Sequence, residues 1–201
     1  MGLHQSDKKS SVIEVLVVTK ELLGGTNSFI KDIRSIEKVS NYRFFFCLLR
    51  KNLLVHFDNK QTIYLNEAYP EDYKISFRKI ITFLKLFLGL LVLLNVKKNK
   101  IVMTLDLYSY IILSLLKLFT FQKYRLIFHV NNNIDEIIQD KDNLIYRRFL
   151  KMAFSKLVHV SDFIVCVSKG LRRPLIKKYE VSGKIEVVYN DVSEAYKEPP
   201  N

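Results

Sequence analysis

Residues 12–19, VIEVLVVT, are apolar nearly throughout, and Gly24-Gly25-Thr26 separate them from a segment in which Phe29, Ile30, Ile33 and Ile36 recur among Lys31, Asp32, Arg34 and Glu37. The first run predicts a strand covered on both faces, and the second predicts an amphipathic helix. Downstream the same two patterns keep alternating. Arg43–Leu49 reads as a second strand, and Leu53–Phe57 with Thr62–Leu65 as a hairpin around Asp58-Asn59. Phe77–Val96 reads as a helix packed on the sheet. Its longest uncharged stretch, Leu86–Val96, is too short to span a bilayer, which leaves the alternative that part of it lies on a membrane. Strands then follow at Ile101–Leu105, Arg125–Val130, Asp162–Val167 and Lys184–Tyr189. Between them stand helices at Leu107–Phe119, at Asn143–Val160 with Arg147, Arg148, Lys151 and Lys156 on its solvent side, and at Gly170–Tyr179.

Strands alternating with helices predict an α/β fold, a single Rossmann-like domain with a mostly parallel sheet and helices on both faces. The expected layout is a polar lead-in over residues 1–11, the domain over 12–192, and a linker or frayed tail over 193–201. No internal repeat and no Pro/Ser linker divides the chain. Sheets of this kind bind ligands at the carboxyl ends of their strands, so the segments to inspect follow Thr19, Leu105, Val130, Val167 and Tyr189.

Composition narrows the partners. The 201 residues suffice for one well-packed domain, and 49% hydrophobic with 26% charged residues describes a globular chain. The net charge of +12 points to nucleic acid, an anionic membrane surface or a phosphorylated substrate, or else to a lysine-rich solvated surface. Cys47 and Cys166 both lie in apolar runs and form no Cys-x-x-Cys, as expected of small core residues in a reducing compartment. The first eleven residues are polar and show no secretory signal, which makes a cytoplasmic protein the expectation.

The candidate chemistry sits at the predicted strand ends. Gly24-Gly25 follows a strand and opens a helix, the context of an anion cradle, and equally that of a plain tight turn. The spacing is neither a dinucleotide fingerprint nor a P-loop. In LIFHVNNNIDE, His129 ends a strand where it could meet a phosphate or a sugar hydroxyl, or be a satisfied structural residue. The asparagines after it suit turns and a helix N-cap. Asp135 and Glu136 are adjacent and diverge on a helix, so they are not an acid/base pair. Ser168 fits an N-cap, with no nucleophile elbow around it, and Pro174 is tolerable only near the helix start. His4, His56 and His159 show no metal-ligand spacing, so no metal site is expected.

In order along the chain, LVVTKELLGGTNSFIKDI, RLIFHVNNN and DFIVCVSKGLRRPLIKKYEVSGKIEVVYNDV resemble the N-terminal half of a family 4 glycosyltransferase of the GT-B class, over roughly Val12–Val192. The chain departs from that pattern at Asp191, where the family usually has Gly, and at Val130-Asn131, where a small residue commonly follows the His. The resemblance implies the acceptor-binding half of a metal-independent, retaining enzyme with no cofactor. Such an enzyme moves a sugar from a nucleotide-sugar to a glycan or lipid-linked acceptor in cell-surface polysaccharide synthesis, often at the inner face of the membrane. It implies a catalytic role for His129 beside the transferred sugar, and donor or acceptor contacts at Gly24, Gly25, Thr26, Asn131, Ser168 and Asn190. It also implies a C-terminal domain, or a separate subunit, that grips the nucleotide through a basic residue and a Glu-x7-Glu motif. These 201 residues do not carry that domain, so the chain alone is expected to turn over slowly or not at all. A competing reading is a non-catalytic basic module that holds an anionic membrane surface or polymer. Nucleic acid comes third, because no zinc-finger or RRM signature is present and the aromatics lie mainly in apolar runs.

Overall fold

Seven parallel strands lie side by side in the order β3-β2-β1-β4-β5-β6-β7 in the computed structural model, which describes residues 12–20, 33, 36–37, 40–49, 62–65, 77–97, 101–120 and 123–189. The strands are β1 (Ile13–Thr19), β2 (Tyr42–Leu48), β3 (Thr62–Tyr64), β4 (Ile101–Thr104), β5 (Arg125–Val130), β6 (Phe163–Cys166) and β7 (Ile185–Val187). The helices between them are α1 (Phe77–Lys97), α2 (Leu107–Thr120), α3 (Ile134–Gln139), α4 (Leu144–Leu157) and α5 (Lys169–Tyr179), with a 3₁₀ turn at Val158–Val160. Every pairing among these strands is parallel, so the Rossmann-like α/β expectation holds and "mostly parallel" becomes wholly parallel.

The chain first steps from β1 out to β2 and β3, then returns past β1 to add β4 to β7 on the other side. Right-handed crossovers travelling in opposite directions must lie on opposite faces of a sheet. The two hydrophobic clusters follow that rule. Leu16, Val18, Val102, Leu126, Phe128 and Ile164 face one way and are covered by Leu86 and Leu90 of α1, Tyr110 and Leu113 of α2, Phe154 of α4 and Leu175 of α5. Their alternate neighbours Val15, Val17, Phe44, Phe46, Leu48 and Leu105 gather around Ile33, a helical residue, on the other face. Helices therefore cover both faces, as the apolar runs of β1 and β2 require.

Two details differ from the sequence pattern. Thr62–Tyr64 pairs with β2 in parallel and so joins the sheet through a crossover; Leu53–Phe57, the other arm of the expected hairpin, lies outside the described residues. Pro174 sits inside α5, in its second turn, where the helix continues without the N–H that proline lacks.

α2 is buried nearly all round, from Leu107 to Leu116, which explains its lack of a polar face. Tyr110 is its anchor. The ring stacks on Phe128 of β5 at 4.1 Å and meets Phe154 of α4 edge-on at 6.0 Å. Its hydroxyl donates to the Leu157 carbonyl at 2.6 Å and lies 2.7 Å from Ser161 Oγ. Burial pushes the phenol up to about 12, so it remains a donor at all ordinary pH. Tyr110→Phe keeps the stacking but leaves a buried carbonyl and hydroxyl short of a partner. It should cost about 1–3 kcal/mol in urea unfolding; a change of a few tenths would mean that the hydroxyl bonds contribute little.

Candidate functional site

The strand order reverses between β1 and β4, and the crevice outside the carboxyl ends of such strands is where α/β sheets bind ligands. At that reversal stands Asp106, just after β4. Its carboxylate accepts the backbone N–H of Lys20, the first residue after β1, at 2.6 Å. It also accepts the backbone N–H of Ser109 at 2.9 Å and the Ser109 hydroxyl at 2.7 Å. The Ser109 bond satisfies an orphan donor in the first turn of α2. One side chain thus pins the exit of β1 to the start of α2. It also fills the amino end of α2 with the protein's own negative charge, so an incoming anion would have to find another helix end.

Along the same edge, Val167 N–H bonds to the Val130 carbonyl at 3.2 Å, which keeps the ends of β5 and β6 together, with Asn131 and Ser168 following just beyond them. Ser168 Oγ caps α5, accepting from Leu171 N–H at 3.3 Å, and keeps its own O–H as a donor. The helix start it caps carries Lys169, Arg172 and Arg173 with no acidic residue, which suits this strand end to negative charge. Asn131 is half-buried, and its Oδ1 is buried with no hydrogen-bond partner among the described residues. Such an acceptor calls for a donor.

His129 stands opposite Val165 in the β5–β6 pairing. Strand alternation turns it to the face away from Phe128, the face that Leu105 also occupies. It is 4% exposed, and burial lowers its imidazole from the ordinary 6.5 to about 4. Near neutral pH it is therefore an uncharged ring with one donor and one acceptor nitrogen. It can orient a hydroxyl; it is not a cation for phosphate.

Of the residues singled out in the sequence, His129, Asn131 and Ser168 thus share the carboxyl edge, with His129 two positions before Asn131 on one strand. Gly24, Gly25, Thr26 and Asn190 lie outside the described residues. Asp106 was not singled out. The signal was present, since an Asp three residues before Ser109 at the start of an apolar helix is a cap pattern, but its bond to Lys20 spans 86 positions and needs the folded sheet. Asp135 is structural. Burial raises its carboxyl, but hydrogen bonds from Lys178 and Tyr179 with the Lys178 and Lys151 charges outweigh that and hold it below the usual range. Burial pushes the Cys47 thiol up to about 12 and that of Cys166 to about 11, so neither is a nucleophile near neutral pH. Among the described residues no group of three His, Cys, Asp or Glu side chains is placed to hold a metal ion.

Two outcomes follow. Because the unfolded chain takes up a proton at His129 near pH 6.5 and the folded chain only near 4, the stability linked to this residue is intact above 6.5 and is lost as pH falls towards 4. Wild type should lose about 3 kcal/mol more than His129→Asn between pH 7 and 4, by urea midpoints at each pH; equal losses would mean a solvated imidazole. Asp106→Ala should cost about 1–3 kcal/mol and speed amide exchange at Lys20 and Ser109. Unchanged exchange at Lys20 would detach the exit of β1 from Asp106.

No known family profile and no curated protein matches the sequence. Solved structures do match the fold. The apo form of the lipopolysaccharide outer core galactosyltransferase WaaB superposes with a TM-score of 0.63 at 15% identity, over 90% of this chain and 46% of that one. UDP-GlcNAc 2-epimerase from Methanocaldococcus jannaschii gives 0.59 at 12% identity, over 89% and 46%. A glycosyltransferase from Rickettsia africae gives 0.55 at 13% identity, over 88% and 42%. The chain spans about half the length of these structures. Its seven-stranded parallel sheet is the Rossmann-like fold found in these sugar-handling enzymes.

Proposed function

We propose that this chain is the acceptor-side half of a family 4, GT-B-type glycosyltransferase. In this reading the enzyme transfers a sugar, with retention and without a metal, from a nucleotide-sugar to a glycan or lipid-linked acceptor of cell-surface polysaccharide synthesis. It works in the cytoplasm, at the inner face of the cell membrane. The observation that carries the reading is the pairing at the end of β5 of a neutral, buried His129 with Asn131, whose buried amide oxygen lacks a partner among the described residues. A sugar presents several hydroxyls, each both donor and acceptor. An uncharged imidazole and an amide are suited to orient them without the desolvation that a charged side chain would demand.

The anomeric carbon exchanges its bond to the leaving phosphate oxygen for one to the acceptor oxygen, and the nucleoside diphosphate departs with the electron pair. The negative charge that develops there needs positive partners. Lys169, Arg172 and Arg173, in the first turns of α5 just after β6, would supply them. Gly24, Gly25 and Thr26 would bring backbone close to the phosphate or acceptor, and Asn190 would contribute from the far end of the sheet. The remaining grip on the nucleotide belongs to a second domain or subunit.

Resonances at Lys20, Asp106, Asn131 and Ser168 should move when the chain is titrated with UDP-sugars, with affinity in the millimolar range and turnover undetectable without a second domain. In enzyme completed with such a domain, His129→Ala and Gly25→Val should each lower transfer by roughly a hundredfold while leaving the fold intact. Shifts confined to other surfaces, or full turnover in both variants, would overturn the assignment.

A further inference from the structure

α4 breaks the usual rule for a helix on the outside of a protein. Leu150, Phe154 and Leu157 point into the core, so the opposite side should be polar. Instead Ile145 is 75% exposed, Phe149 55% and Met152 54%, and Leu144 beside them is 54% exposed. Spacings of four and three residues set Ile145, Phe149 and Met152 in one row along the helix. Arg148, Lys151 and Lys156 flank that row, and α4 contains no acidic residue.

α5 is its neighbour. Phe154 meets Tyr179 edge-on at 4.9 Å, and Lys178 reaches across to Asp135, whose carboxyl also feels Lys151. α5 adds Lys169, Arg172, Arg173, Lys177 and Lys178, again with no acid, so the two helices together carry nine Lys or Arg. Asp135, the carboxylate between them, is already held by Lys178 and Tyr179. Glu136, Asp140 and Asp142 lie on the α3 side before α4 begins, and Glu180 follows α5. The charge left facing outward is positive, and the apolar row runs through it.

We infer that the outward face of α4, with basic α5 beside it, docks on the surface of an anionic phospholipid bilayer. A soluble polyanion would be met by the lysines and arginines alone and would leave Ile145, Phe149 and Met152 in water. A bilayer interface takes both: the apolar row enters at the level of the acyl boundary, and the long basic side chains reach up to the phosphates. Fourteen residues suffice for a helix lying in the interface, and no described helix is long and apolar enough to cross a membrane. The inference deepens the membrane-side location proposed above and rests on that reading only for where the protein works; its test involves no sugar.

The chain has no tryptophan, so Phe149→Trp installs a single emitter in the row. With vesicles of phosphatidylcholine and phosphatidylglycerol, its emission should shift to the blue and be quenched by brominated acyl chains; phosphatidylcholine alone should do neither. In sedimentation with the same vesicles, the paired change Arg148→Glu with Lys151→Glu should weaken binding by roughly tenfold or more, as should Ile145→Ser with Phe149→Ser. Salt at about 0.5 M should weaken wild type similarly. Circular dichroism melts check that the variants stay folded, and the fluorescence readout stands even if the charge and serine variants do not. Vesicle-bound Phe149→Trp protein whose emission stays that of a water-exposed indole would overturn the proposal. So would full binding by the Ser variant, since either result describes a plain electrostatic patch for polyanions. Neither outcome bears on the sugar-transfer reading, whose test by UDP-sugar titration uses no vesicles.

Discussion

The Tyr110 hydroxyl, lodged between the Leu157 carbonyl and Ser161, holds the first turn of α2 in a place that most of the other elements then depend on. Its ring sits on Phe128 and against Phe154, so one residue ties α2 to β5, α4 and the entry to β6. The same helix is fastened at both ends. Asp106 and Ser109 join its start to the exit of β1, and Lys117 pairs near its finish with Asp162, whose carboxylate also accepts the Leu126 N–H at 2.6 Å. A helix so fully buried has little freedom to shift, because close-packed interiors transmit displacement instead of absorbing it.

That rigidity is what gives the carboxyl edge its geometry. β4 ends beside β1 and β5 beside β4, with α2 packed across them, and His129 and Asn131 take their positions from the strand that Tyr110 covers. The edge is chemically divided. At the β1–β4 reversal the protein supplies its own carboxylate, whereas beyond β6 a neutral serine cap opens a helix rich in cations. Between them lies a histidine kept neutral by burial.

The surface proposed to meet lipid is built by other means. Its apolar row lies on the outer side of α4, so Ile145, Phe149, Arg148 and Lys151 can be altered without touching the residues of the edge, whereas the first turns of α5 belong to both. What joins them is topology: α3 and α4 lead from the end of β5, where Asn131 stands, back to the start of β6. A membrane under α4 would set the edge at a fixed height above the headgroups.

Much of this was legible in the residues themselves. Periodicity marked β1, β2, β4 to β7, α1, α2 and α5 closely, because apolar runs and helical spacing are local signals. It also placed His129, Asn131 and Ser168 at strand ends. It did not reveal that Thr62–Tyr64 joins the sheet in parallel beside β2, since three residues beside a polar turn look alike whether they pair back or enter a sheet through a crossover. It put Arg147 among the solvent-side cations of α4, although that residue is half-buried and its Nε is out of contact with solvent. The sequence by itself determined the order of elements, the parallel α/β class and the chemistry available at each strand end, all of which follow from neighbours along the chain. Only the tertiary structure decided that Asp106 clasps Lys20, that His129 is desolvated enough to stay neutral, and that Ile145, Phe149 and Met152 face outward. Each of these depends on what packs against a residue from far along the chain, and burial is a property of the assembled layers, not of the segment.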